Sequence, residues 1–133
     1  MAATTGTPTM VARPVGRTIA ISVLDLYGEP AAGATVRLAI NGRAAGVMLT
    51  GSDRKPLSVE VFSPSARIEL EVTLLGQTQS AAVPAGQDKM VFTFASTMRF
   101  ATAVAAIVEC PDGQRGTPCV MCSDGTESWR LCA

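Results

Sequence analysis

The sequence predicts an all-β protein: an antiparallel sandwich of about seven short strands with a cysteine-stapled hairpin at its C-terminus. From residue 18 to residue 95, apolar residues alternate with polar or small ones. Turn-forming residues interrupt this alternation roughly every 8–12 residues, as in many sandwiches. All four cysteines lie between residues 110 and 133. Strands with one apolar face cannot bury that face alone, so we expect two stacked sheets.

Length and composition fit a single domain and exclude several kinds of function. The chain has 133 residues, 47% of them hydrophobic, which is enough for a core. Acidic and basic residues number 11 each, so charge gives no reason to expect a nucleic acid or an anionic membrane as partner. The chain has no histidine, which excludes Ser-His-Asp and Cys-His catalysis within it. We find no membrane-spanning stretch and no secretory signal, and therefore expect a cytoplasmic protein.

The N-terminal part divides into an arm and the beginning of the sandwich. Residues 1–17, rich in Thr, Ala, Pro and Gly, predict an extended arm before a sandwich domain at 18–95. Alternation in "TIAISV" predicts the first half-buried strand. It resumes in "ATVRLAI" after the turn "GEPAAG". The next pair, Asn41-Gly42, is a strong hairpin signal because both residues tolerate a positive φ, so "AAGVML" is predicted to be the returning strand.

Four more strands are predicted in the rest of this domain. "LSVEVF" and "RIELEVTLL" flank the turn "SPSA", and Glu69 and Glu71 share the polar face of the second strand. Such a carboxylate pair could act in acid–base chemistry inside a pocket, but the alternation predicts a solvated face. Gly76-Gln77 turns the chain into "TQSAAVPAG", a weak strand placed at a sheet edge because Pro84 cannot donate to a ladder. "KMVFTFA" closes the set.

Residues 96–109 connect the sandwich to the cysteine region, and their pattern fits a helix and a strand almost equally. Four apolar residues have helical spacing: Phe100, Val104, Ile107 and Val108. The same stretch also alternates with a period of two. We choose the strand because it leads directly into the cysteine hairpin at 110–133.

The cysteine spacing, C-x8-C-x2-C-x9-C, allows three interpretations. The first is one structural zinc ion in a closed site whose thiolates are those of Cys110, Cys119, Cys122 and Cys132. The second is two disulfides among the same four, in which Cys132 would face Cys122 or Cys119 across a hairpin; this requires an oxidising compartment and favours an extracellular protein. The third is a redox motif formed by Cys119 and Cys122, although the helix N-terminus that such motifs use is not predicted.

The tail itself explains why the cysteines are crowded there. A segment of this length cannot build a core, so a crosslink or a metal must hold its shape. We expect Trp129, the only tryptophan, to cover a small tail core. The tail carries more acidic than basic residues, which disfavours a nucleic-acid-binding zinc ribbon.

Two stretches, "ISVLDLYGEPAAGATVRLAI" and "GVMLTGSDRKPLSVEV", resemble the carboxypeptidase-regulatory-like and transthyretin-like sandwich modules. The matching features are Gly28-Glu29-Pro30 after the first strand, Gly33-Ala34-Thr35-Val36 opening the second, and Thr50 before a polar turn. The resemblance covers about residues 18–95, and the tail resembles a zinc ribbon loosely. It implies a seven-stranded, immunoglobulin-like or transthyretin-like sandwich that serves as a structural or adhesive accessory.

We expect a non-enzymatic structural or interaction module that binds a protein partner or assembles with its own copies. A net charge near zero removes self-repulsion, and edge strands together with an extended arm permit strand addition between subunits. Two alternatives come from other classes. One is a thiol-redox protein that uses Cys119 and Cys122, and the other is a zinc-ribbon adaptor that binds nucleic acid.

Overall fold

The computed structural model describes residues 16–95 and 103–133, and these residues form eleven strands and no helix. The all-β prediction is confirmed, with more strands than the seven expected. In chain order the strands are β1 (Arg17–Leu24), β2 (Thr35–Ile40), β3 (Arg43–Leu49), β4 (Leu57–Val61), β5 (Ile68–Leu74), β6 (Gln77–Ala82), β7 (Lys89–Thr93), β8 (Ile107–Glu109), β9 (Arg115–Gly116), β10 (Cys119–Ser123) and β11 (Ser128–Cys132).

Two sheets make the sandwich. The first sheet has the order β10-β11-β4-β1-β7, and the second has the order β6-β5-β2-β3-β8-β9. All neighbouring strands are antiparallel except β1 and β7, which run parallel. Strands β1 to β7 correspond to the seven predicted strands. The weak strand that we placed at an edge is β6, at the edge of the second sheet.

The core lies between the sheets and follows from the period-two pattern. In β5, for example, Ile68, Leu70 and Val72 are buried, while Glu69 and Glu71 on the other face are exposed. The same alternation in β2 adds side chains from the same sheet, and in β1 and β4 it supplies those that face them from the first sheet. One continuous cluster of buried residues results.

Of the four additional strands, β8 ends the connecting segment and the other three lie in the cysteine region, and together they extend both sheets. β8 pairs with β3, whereas the β10–β11 hairpin joins the first sheet beside β4. The buried residues of these strands belong to the same cluster as the rest of the core; they are Val108, Val120, Cys122, Trp129 and Leu131. The division of the chain into arm, sandwich, connector and hairpin stays a prediction, but the pairing shows that the hairpin helps to build the sandwich.

Trp129 packs differently from our expectation. It is 4% exposed and lies in the sandwich core instead of covering a separate tail core. Its Nε1 donates a hydrogen bond of 2.7 Å to the carbonyl oxygen of Ala45, which lies on β3 in the opposite sheet. Trp129 therefore ties the C-terminal hairpin to the second sheet.

The connecting segment contains one short strand among its described residues. Residues 96–102, including Phe100, lie outside the described residues, as do residues 1–15 of the predicted arm. Between 103 and 109, only Ile107–Glu109 forms a strand. The choice of a strand over a helix is confirmed for those three residues.

The hairpin turns follow from residues that accept a positive φ. Asn41 and Gly42 have φ values of 52° and 80°, as the sequence predicts for the β2–β3 turn. The β5–β6 turn uses Leu75 and Gly76, with φ values of 51° and 79°, and so lies one residue earlier than predicted. Because of this shift, Gln77 is the first residue of β6.

Candidate functional site

The four cysteines that the sequence singled out form two disulfides. Cys110 bonds to Cys122 with an S–S distance of 2.05 Å, and Cys119 bonds to Cys132 at 2.11 Å. The zinc interpretation is therefore not supported, because each sulfur is bonded to another sulfur and none remains as a thiolate ligand. Across residues 16–95 and 103–133, no group of three or more His, Cys, Asp or Glu side chains is placed to hold a metal ion.

The Cys110–Cys122 disulfide joins the two sheets. Cys110 follows β8 in the second sheet, and Cys122 lies on β10 in the first. Both residues are buried, at 4% and 2% exposed, so the sulfur atoms are part of the core. Cys122 also pairs with Trp129 across the β10–β11 hairpin. The bridge and the tryptophan together close one side of the sandwich.

The Cys119–Cys132 disulfide lies within one sheet. The two residues are directly opposite each other on β10 and β11, with their Cα atoms 4.1 Å apart. Such a short spacing is typical of the closely approaching, non-hydrogen-bonded pairs of an antiparallel ladder. Of the two partners that we considered for Cys132, the structure thus has Cys119.

This pairing bears on two further expectations. Cys119 and Cys122, the residues of the redox interpretation, belong to different disulfides and lie on a strand. Disulfides are typical of oxidising compartments, so the cytoplasmic expectation is not supported. Separately, the part of the chain that the structure describes contains no helix long and apolar enough to cross a bilayer.

Asp124 organises the turn of the β10–β11 hairpin. Its Oδ1 accepts hydrogen bonds from the backbone N–H groups of Glu127 at 2.7 Å and Thr126 at 2.8 Å. These two bonds, with a smaller contribution from Arg43 at 3.6 Å, hold the pKa of Asp124 below its ordinary value of 3.8.

The Asp124→Asn variant should therefore change how stability depends on pH. The charged carboxylate stabilises the fold above the unfolded-state pKa, and this contribution disappears as the pH falls through the lower folded-state pKa. The asparagine keeps an acceptor oxygen but does not titrate. We expect the stability difference between native and variant proteins, measured by urea unfolding, to shrink as the pH falls below about 4. A difference that stays constant with pH would contradict this account.

Glu69 and Glu71 lie on the outer face of the second sheet, as predicted. The Glu71 carboxylate is 3.5 Å from the Arg37 guanidinium, and both side chains are exposed. The surrounding surface forms a shallow depression of about 550 Å³, which extends to Ser80 on β6. The carboxylate pair therefore lies on a solvated face. A second groove, of about 390 Å³, lies elsewhere, beside Phe62.

Besides surface depressions, the edge strands of a sandwich can bind a partner, because an edge carries unpaired backbone groups. In β7, hydrogen bonds to β1 leave the backbone groups of Lys89, Val91 and Thr93 pointing away from the sheet. The Nε2 atoms of Gln79 and Gln87 donate to the carbonyl oxygens of Thr93 and Lys89 at 2.7 and 2.6 Å. Two of the three outward carbonyls of β7 are therefore already occupied.

The edges formed by the tail are closed in other ways. β9 consists of two residues, which is too short to template a ladder. In β10, the carbonyl oxygen of Met121 lies 3.5 Å from the Cys110 sulfur. Gly116 approaches the Cys119 carbonyl oxygen so closely that a Cβ atom there would overlap it. The Cys110–Cys122 disulfide and Gly116 thus cover the edge of β10.

The edge of β6 is open. A hydrogen bond from the Val83 N–H to the Ile68 carbonyl fixes the register of β6 on β5, so alternate residues of β6 face away from the sheet. These are Thr78, Ser80 and Ala82, and their backbone groups have no hydrogen-bond partner among the described residues. The strand carries no charge and no proline, the devices that usually protect an edge.

Sequence reasoning placed β6 at an edge but did not identify it as the open one. The signal that the sequence does contain is the composition of "QTQSAA", which combines small polar side chains with the absence of charge. Protection of the other edges depends on individual contacts of Gln79, Gln87 and Gly116, which periodicity does not reveal.

Comparison with known proteins adds no assignment. No protein-family model matches the chain, and no curated protein matches it. Function is therefore inferred from the fold, the disulfides and the strand edges.

Proposed function

We propose that this protein is a non-enzymatic interaction module that binds an extended polypeptide segment, from a protein partner or from its own copies, by strand addition at β6. The open edge of β6 carries the proposal. Thr78, Ser80 and Ala82 offer three outward N–H groups and three outward carbonyls, and a partner strand would satisfy them as in other cases of strand addition.

The rest of the sandwich supports this assignment. β7 is guarded by two glutamines, β9 is too short, and β10 is covered by Cys110 and Gly116. A partner strand would thus be directed to one edge. The two disulfides fit a module that works in an oxidising, extracellular setting, where such crosslinks persist.

We also propose that the resemblance to carboxypeptidase-regulatory-like and transthyretin-like modules reflects a related sandwich. The residues that carry it contact one another. The buried Thr50 hydroxyl accepts a 2.8 Å hydrogen bond from the Ala34 N–H, and the Gly33 N–H donates to the Thr50 carbonyl at 2.8 Å. An accessory, adhesive role agrees with binding at a strand edge.

A synthetic peptide with the sequence of residues 77–83, QTQSAAV, which contains β6, tests strand addition at this edge directly. We expect its titration into the full-length protein to shift the amide resonances of Thr78, Ser80 and Ala82 and to slow their hydrogen exchange. The Ser80→Pro variant lacks the central outward donor and should bind the peptide about tenfold more weakly, because a hydrogen bond is lost and the proline ring obstructs the ladder.

The matched control is Val91→Pro, which removes an outward N–H group from the guarded strand β7. Peptide binding should be unchanged in this variant. Circular dichroism and urea unfolding would verify that both variants are folded. Equal binding by the Ser80→Pro variant and the native protein, or resonance shifts confined to β7, would contradict the proposed function.

A further inference from the structure

We infer that the partner of β6 is the β6 strand of a second copy, and that the two strands pair antiparallel about a twofold axis through Ser80 to form a closed dimer. This inference rests on the proposed function, since it names the segment that the open edge binds. The pairing would join the second sheet of one copy to the second sheet of the other, forming one continuous sheet across the dimer.

The spacing of the outward residues fits twofold symmetry. Thr78, Ser80 and Ala82 are the residues whose backbone groups face outward, and Ser80 is the middle one. With Ser80 opposite its own symmetry mate, Thr78 of each copy lies opposite Ala82 of the other. Each of these three pairs exchanges two hydrogen bonds, so the interface gains about six hydrogen bonds. Every outward N–H and carbonyl group of the three residues then has a partner.

The side chains at these positions also suit self-pairing. Small uncharged residues would meet across the interface. Like charges directly opposite each other would destabilise the pairing, and these positions carry none. Two carboxylates lie beside β6 on the same face: Glu71 pairs with Ser80 and Glu69 pairs with Ala82 across the β5–β6 ladder. In the dimer, Glu69 would lie in the same cross-strand row as Thr73 of the second copy, so only Glu71 shares its row with its own symmetry mate. The two Glu71 residues of a dimer would be three strand spacings apart, about 14 Å, which exceeds the Debye length at physiological salt.

Symmetry and edge protection together set the size of the assembly. An isologous contact uses the same patch on both copies, so it is saturated when two copies have joined. Growth into a filament would need a second open edge, and β7, β9 and β10 are guarded or covered. The contact of one short strand is small, so the dimer should be reversible and dependent on concentration.

Two double variants of the full-length protein test the register. In Thr78→Lys/Ala82→Glu, each introduced lysine faces an introduced glutamate of the second copy. In Thr78→Lys/Ala82→Lys, each introduced lysine faces an introduced lysine of the second copy. Light scattering coupled to size-exclusion chromatography, over a series up to about 1 mM, should show dimers for the native protein and for the first variant. The all-lysine variant should dissociate at least about tenfold more readily than the first variant.

The outcomes separate the two proposals. A native protein that stays monomeric over the whole series, that polymerises without limit, or whose two charge variants associate equally would overturn the twofold dimer. Binding of the QTQSAAV peptide by such a protein would leave strand addition at β6 standing with a different partner. Loss of peptide binding as well would remove the proposed function itself.

Discussion

Replacing Trp129 by alanine is expected to lower the free energy of unfolding by about 3–5 kcal/mol, the usual cost of deleting a buried aromatic side chain. Trp129 is 4% exposed and packs in the core that both sheets share. Its Nε1 donates to the Ala45 carbonyl of the opposite sheet, so the deletion leaves a buried acceptor unpaired as well as a cavity. Urea unfolding followed by circular dichroism measures the effect without requiring tryptophan fluorescence.

Two controls separate packing from the hydrogen bond. Trp129→Phe keeps an aromatic ring but loses the donor and part of the volume, so we expect a loss intermediate between the native protein and the alanine variant. Tyr27→Ala removes an aromatic side chain that is 71% exposed and should change stability by less than about 0.5 kcal/mol. If Trp129→Ala cost no more than Tyr27→Ala, the tail would not be part of the core.

Removing the Cys110–Cys122 disulfide, by replacing both cysteines with alanine, should have the second large effect. The two cysteines are 12 residues apart in sequence. In the chain-entropy account, a crosslink that closes a loop of that size in the unfolded chain stabilises the protein by about 3 kcal/mol. Cys110 and Cys122 are also buried, so their deletion leaves a small cavity that adds about 1 kcal/mol. The measurement is again urea unfolding of the oxidised protein.

The second disulfide provides a closely matched control. Cys110 and Cys122 are 12 residues apart in sequence, whereas Cys119 and Cys132 are 13 apart, so the loop entropies are nearly equal. The Cys119–Cys132 bridge lies within one sheet, and both its residues are partly exposed. We expect its double alanine variant to lose less stability than the inter-sheet variant. The reverse order would contradict the role of Cys110–Cys122 in closing the core.

Where apolar alternation was long and regular, the sequence alone was enough to predict the strand. β5 is the clearest case, because Ile68, Leu70 and Val72 face the core and leave no other register open. The Asn41-Gly42 turn was likewise predictable from local chemistry. The edge position of β6 was predicted from Pro84, but β6 ends at Ala82, so the position is right although the proline lies beyond the strand.

The tail was harder to predict because its cysteines were interpreted as ligands or crosslinks and not as core residues. Val120 and Cys122 alternate on one side of the Asp124 turn, and Trp129 and Leu131 alternate on the other, which is the same period-two signal as elsewhere. The pairing of the cysteines depends on how the chain crosses from β9 in the second sheet to β10 in the first, and sequence spacing does not specify that geometry.

The candidate site was only half predictable for a similar reason. An edge strand can be recognised from its composition, but whether another edge is guarded depends on individual contacts that composition does not show. Gln79 reaches β7 from β6, and Gly116 reaches β10 from β9. The first contact joins residues 14 apart in sequence, and the second depends on how the chain passes from β9 to β10, so the alternation of apolar residues indicates neither.

The central claim is that, among the residues that the structure describes, β6 is the edge open to a partner strand, and residue-resolved hydrogen exchange tests it most directly. The exchange rates of backbone amides would be measured by NMR at low and at high concentration of the full-length protein. We predict that the amides of Thr78, Ser80 and Ala82 exchange quickly at low concentration and become protected at high concentration. Amides of β7 and β10 should be unaffected. Protection that rises at Val91 or Met121 while Ser80 stays unprotected would contradict the account.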